Sequence, residues 1–132
     1  MRDLFLGSAL VLLGLSGVFH LFIFYLESLT WTSPATWRRF NIPTQEHAEI
    51  IRPMAFNQGF YNLFLALGIA GGLVLIKTYP TIGYTLLFSS ALSMVGAGLV
   101  LYLSVKRSVR AAAMQALPPL CGVALLLIGL NR

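Results

Sequence analysis

Charge is scarce in this chain. Of 132 residues only four are acidic (Asp3, Glu27, Glu46 and Glu49) and nine are Lys or Arg, so 10% are charged and 58% are hydrophobic. Soluble domains usually carry about 25% charged residues. A disordered chain is excluded by the apolar content. A soluble globular enzyme is excluded too, because so small a protein cannot hide so much apolar surface. Cysteine is almost missing: Cys121 stands alone inside an apolar run. A lone thiol forms no intrachain bridge, no CxxC or His/Cys spacing accompanies it, and the plain reading is a small buried hydrophobe. Histidine occurs twice. His47 has Glu46 and Glu49 beside it, but no second ligand group stands at helical spacing, so no metal site is expected. His20 alone is a thin basis for an axial haem ligand, and no cofactor is expected. The formal charge of +5 raises the question of nucleic acid. The basic residues lie between long apolar runs and form no continuous patch, so they suit membrane-side anchors and no nucleic-acid partner is expected.

What is present is apolar sequence in long runs. Four segments, at about residues 4–29, 54–76, 81–105 and 109–130, reach the roughly 20 residues a helix needs to cross a hydrocarbon core of about 30 Å. Helix is the choice because isolated strands leave backbone groups unpaired in lipid. The first run is too long for a signal-peptide core and lacks a small-residue cleavage site, so it is expected to be retained. The expected fold is all-α: a four-helix transmembrane bundle, one integral membrane domain over residues 1–132. No internal repeat is evident.

The first loop, about residues 30–53, is the one substantial piece outside the apolar runs. Ser33 before Pro34 resembles a capping hydroxyl followed by proline at the first helical position. Trp31, Trp37, Arg38, Arg39 and Phe40 suit a short interfacial amphipathic helix in the headgroup layer, with Trp31 and Trp37 as anchors. A second short helix is expected to begin near Thr44, and Pro53 either starts or kinks the second span. The short second and third links make the last three spans antiparallel neighbours. Arg38, Arg39, Arg52, Lys106, Arg107 and Arg110 flank one side of the spans, against Arg2, Lys77 and Arg132 on the other. Six against three places the first and third loops in the cytoplasm, and both termini outside an inner (cytoplasmic) membrane.

Polar side chains in lipid are costly and each needs a reason. His20 and Glu27 stand seven residues apart, nearly two helical turns at about 100° per residue, so they share a face; Ser16 extends it. Asn57, Gln58, Tyr61 and Asn62 cover one arc of about 140°. Ser89, Ser93 and Gly96 share a face of the third span, which ends near Tyr102. In the fourth, Gln115 stands just before Pro118 and Pro119, where missing amide hydrogens bend the helix and free acceptors. At about 1.5 Å per residue, Glu27, Asn57, Tyr102, Gln115, Asn62 and His20 all lie within about 3–14 Å of the cytoplasmic boundary. One polar pocket in that half of the bilayer is the expectation. Gly68–Gly72 is expected to be a small-residue packing face.

The stretch Asn57-Gln58-Gly59-Phe60-Tyr61-Asn62 resembles the N-Q-G-x-Y-N signature of a widespread bacterial family of small four-span membrane proteins, domain of unknown function 1304. Tyr25-Leu26-Glu27, residues 32–41, and Gln115 with Leu117-Pro118 take part in the resemblance, which covers nearly the whole chain. It implies a compact four-helix integral membrane protein and no established activity.

Two classes of function fit these residues. In the first, a small lipophilic ligand rests among the leucines and its polar end meets His20, Glu27, Asn57, Gln58, Tyr61, Asn62, Tyr102 and Gln115. His20 and Glu27 would then be the catalytic acid and base of an isomerase or epimerase-like reaction. In the second, the same groups line a transporter or channel half-pore, or bond a neighbour as a structural subunit of a homo-oligomer or larger membrane complex. The bland alternatives are helix–helix glue for His20 and the amides, and an arginine partner from the first loop for Glu27.

Overall fold

The computed structural model describes residues 1–132, the side chain of Lys106 excepted. Helix dominates, and among the described residues there is no strand. Helix α1 covers Arg2–Phe24 and runs directly into a π-helical turn, Tyr25–Leu29. Helix α2 is the single turn Pro34–Trp37, extended by a 3₁₀ turn at Arg38–Phe40. Helices α3, α4 and α5 cover Gln45–Leu75, Pro80–Ser104 and Val109–Leu130, with a 3₁₀ turn at Lys106–Ser108 before α5. The stretches Arg2–Leu29, Gln45–Leu75, Pro80–Ser104 and Val109–Leu130 are long and apolar enough to cross a membrane. The protein is an all-α bundle with four membrane-spanning helices.

The second span differs most from its expected bounds. Its helix starts at Gln45 and passes through Pro53 without a break. The start is capped: Thr44 Oγ1 accepts the His47 backbone N–H at 3.2 Å, and His47 Nδ1 lies 2.6 Å from the same hydroxyl. His47 is thus part of a helix cap. Pro53 frees only the carbonyl of Glu49, an exposed residue, and water satisfies that acceptor at little cost. In α5 likewise, Pro118 and Pro119 stand inside an unbroken helix.

The chain divides into two compact units. The first joins Met1–Phe19 to Leu65–Arg132. Its core takes Ala9 and Leu13 from α1, Ile69 from α3, Leu87, Ala91 and Met94 from α4, and Val123 and Leu126 from α5. Lipid is as apolar as leucine, so close packing must hold such helices together, and small residues permit it. A Cβ at Gly72 would run into the Gly83 carbonyl and Leu87; one at Gly122 would run into Leu13. Gly68–Gly72 is indeed a packing face. Ser89, Ser93 and Gly96 do share a face, but it is exposed. The hydroxyls of Ser89 and Ser93 donate to their own helix, at Leu86 and Ser89 carbonyls, which keeps them satisfied in lipid. Cys121, expected to be buried, is exposed.

The second unit is His20–Phe64. It corrects the expectation of anchoring tryptophans. Trp31 and Trp37 are 6% and 3% exposed and form a small core with Ala48 and Ala55, flanked by Phe40, Ile42 and Ile51. Each indole N–H is bonded: Trp31 to the Ala48 carbonyl at 2.9 Å, Trp37 to Gln45 Oε1 at 3.0 Å. Both rings can be buried without an unsatisfied polar atom, because each indole N–H finds a partner. Pro34 opens α2 as expected, but the Ser33 hydroxyl makes no cap. Asn41 then takes a left-handed conformation (φ 60°) and turns the chain toward α3. Asparagine tolerates this better than most residues.

Candidate functional site

The second unit holds the strongest polar arrangement. The π-helical turn at the end of α1 closes with the Thr30 N–H donating to the Tyr25 carbonyl at 3.1 Å, five residues back. The Thr30 hydroxyl reinforces this end: it lies 3.1 Å from Thr36 Oγ1 and reaches the Leu26 carbonyl at 3.4 Å. Such turns hold one residue more than an α-helical turn and recur at functional sites. Glu27 sits inside this one and is buried.

Helix α3 packs closely beside it. Ser28 Oγ donates to the Phe56 carbonyl at 2.9 Å. A Cβ at Gly59 would fall into Ser28 Oγ and press on Glu27 Cβ. Glycine is therefore required for this approach. One turn further on, Asn62 Nδ2 donates to Glu27 Oε2 at 2.9 Å and to the Gln58 carbonyl at 3.1 Å. Both amide hydrogens of Asn62 are thereby used. Glu27 Oε1 and Asn62 Oδ1 have no hydrogen-bond donor among the described residues. Beside this pair the rings of Phe24 and Phe60 meet edge to face at 5.2 Å. His20, two turns up α1, is 1% exposed.

Glu27 and Asn62 are thus brought together. The side chains of Asn57, Gln58 and Tyr61 are not part of that contact and these residues are exposed on α3, Gln58 contributing only its carbonyl. The 140° arc explains why. The buried positions Ala55, Gly59, Asn62, Ala66 and Ile69 centre on one side of the helix, and Asn62 lies at the edge where the polar arc meets it; Asn57 and Tyr61 lie well outside. Those two instead line a shallow aromatic groove of about 320 Å³ with Phe56, Phe60 and Phe64. Tyr102 (exposed) and Gln115 (half-buried) belong to the first unit.

A family model described as "Protein of unknown function (DUF1304)" matches residues 14–127. The chain belongs to this family. The DUF1304 match takes in Glu27, Gly59 and Asn62 together with the whole of the second unit. No curated protein and no solved structure matches the chain.

Sequence reasoning missed the π-helical turn and the Ser28–Phe56 bond. Nothing in Tyr25-Leu26-Glu27-Ser28-Leu29 distinguishes hydrogen bonds reaching five residues back from the ordinary four. Gly59, amid bulky aromatics and amides, is the signal that could have pointed to a close approach.

Proposed function

We propose that this protein binds a small lipophilic molecule by its polar end at Glu27 and Asn62, and that the carboxylate moves a proton on it. The observation that carries this reading is the buried Glu27–Asn62 hydrogen bond, held at a π-helical turn within a membrane helix. A carboxyl group in such a place is expensive and calls for a function. The open Glu27 Oε1 and Asn62 Oδ1 suit a ligand that donates, such as a hydroxyl group. In an isomerisation Glu27 would take a proton from one carbon and return it to another, while Asn62 fixes the carboxylate. His20 is the second acid/base candidate on the same helix. Asn57 and Tyr61, in their aromatic groove, would meet the ligand as it enters from the bilayer.

The test is gentle purification followed by lipid extraction and native mass spectrometry. The expected result is a co-purifying lipophilic compound that is lost in Glu27→Gln and in Asn62→Leu. If both variants fold and keep it, the binding reading is wrong.

The exposed position of Asn57, Gln58 and Tyr61 favours a second reading, a structural subunit whose amides bond a neighbouring chain. Such interhelical bonds average about 0.6 kcal/mol. A double Asn57→Leu, Gln58→Leu variant would then lower the oligomeric state in detergent while leaving any bound ligand in place.

A further inference from the structure

The first unit carries a groove that the proposed site does not use. It lies between the C-terminal half of α4 and the N-terminal half of α5, with a volume of about 400 Å³. Its floor is made by small residues: a Cβ at Gly98 would collide with the Ala116 side chain and crowd the Ala112 carbonyl. Its walls include Leu99, Tyr102, Leu117 and Leu120. All are apolar except for the phenol of Tyr102, which is near the end of α4.

Length and charge identify an occupant. On α5 the groove runs from Val109 to Leu120, which is about 16 Å at 1.5 Å per residue. That is close to half of a hydrocarbon core of about 30 Å, or one leaflet. One end of the groove, at Tyr102 and Val109, lies beside the connection between α4 and α5. There the sequence is Lys106-Arg107-Ser108-Val109-Arg110, and Arg107 and Arg110 are exposed. No acidic residue lies between Glu49 and the C-terminal Arg132, so no carboxylate of the α4–α5 hairpin neutralises this cluster. Basic clusters beside intramembrane grooves select anionic lipid headgroups. We infer that the α4–α5 groove holds one acyl chain of an anionic phospholipid, with its phosphate drawn to Arg107 and Arg110 and its glycerol region beside the Tyr102 hydroxyl.

Delipidated protein should be titrated with phosphatidylglycerol or phosphatidylcholine and followed by native mass spectrometry. The wild type is expected to retain phosphatidylglycerol in preference to phosphatidylcholine. An Arg107→Gln, Arg110→Gln double variant should weaken that preference on the order of tenfold. Ala113→Phe, which fills the groove, should weaken retention of both lipids. Arg38→Gln with Arg39→Gln should change nothing. Inorganic phosphate should not compete, because it has no chain to place in the groove. Equal retention of the two lipids by the wild type would overturn the assignment. So would competition by phosphate, or an effect of the Arg38/Arg39 pair as large as that of Arg107/Arg110. Should Ala113→Phe fail to fold, the surface arginine variants decide the matter.

Discussion

Gly59 and Asn62 do different work although they are three residues apart. Gly59 permits contact: any side chain there enters the space of Ser28 and Glu27. Gly59→Ala should therefore destabilise the protein by about 1–3 kcal/mol, the range for forcing bulk into a packed site, read as a lower thermal midpoint in detergent. Asn62 supplies a donor to a buried carboxyl. Asn62→Leu should cost about 1–3 kcal/mol by leaving that group unsatisfied. Glu27→Gln keeps the shape and an acceptor, so its midpoint should fall less than that of Asn62→Leu. A larger fall would mean that the charge itself holds the helices. Glu27 and Asn62 were each legible in the sequence as polar groups in one half of the bilayer, although the estimated depths, about 3 Å and about 12–14 Å at about 1.5 Å per residue, set Asn62 level with His20. That they touch was not, because spacing along two helices does not fix how the helices are rotated against each other.

Among the elements, the segment from Trp31 to α3 departs furthest from expectation. Tryptophans mixed with arginines next to a span have the composition of an interfacial helix, and composition alone does not distinguish a ring lying on a surface from a ring buried in a small core. The structure resolves this through Ala48 and Ala55, whose small side chains on α3 make room for the indoles. Trp31→Ala should thus cost about 3–5 kcal/mol, as for other buried large-to-Ala changes. Arg39→Ala, at an exposed site, should stay within about 0.5 kcal/mol. The chain has only two tryptophans, so its tryptophan fluorescence, excited selectively over tyrosine, reports on this core alone. Acrylamide should quench that emission weakly until the segment unfolds. A helix beginning near Thr44 was legible, but its continuation into the second span was not: Pro53 suggests a boundary, and the helix capped by Thr44, nine residues earlier, passes through it.

For the whole molecule, four spans were legible because run length against bilayer thickness is a strong physical constraint. The direction of insertion rests on the six-to-three count of basic residues and is directly measurable. With Cys121→Ser as background, Arg107→Cys and Arg38→Cys should react with an impermeant maleimide only after the inner face is opened. Lys77→Cys should react in intact cells. The reverse pattern would invert the topology. The wide turn at Tyr25–Leu29 bears on how relatives should be compared. It behaves as a one-residue insertion, and insertions are recorded as gaps more reliably than substitutions are recorded as changes of role. A homologue one residue shorter just before its equivalent of Glu27 would wind regularly there and swing that carboxylate by about 100°. Such a protein would keep the whole 57–62 stretch and still lack the pairing with asparagine, so alignment gaps at this position should sort the family better than that stretch does.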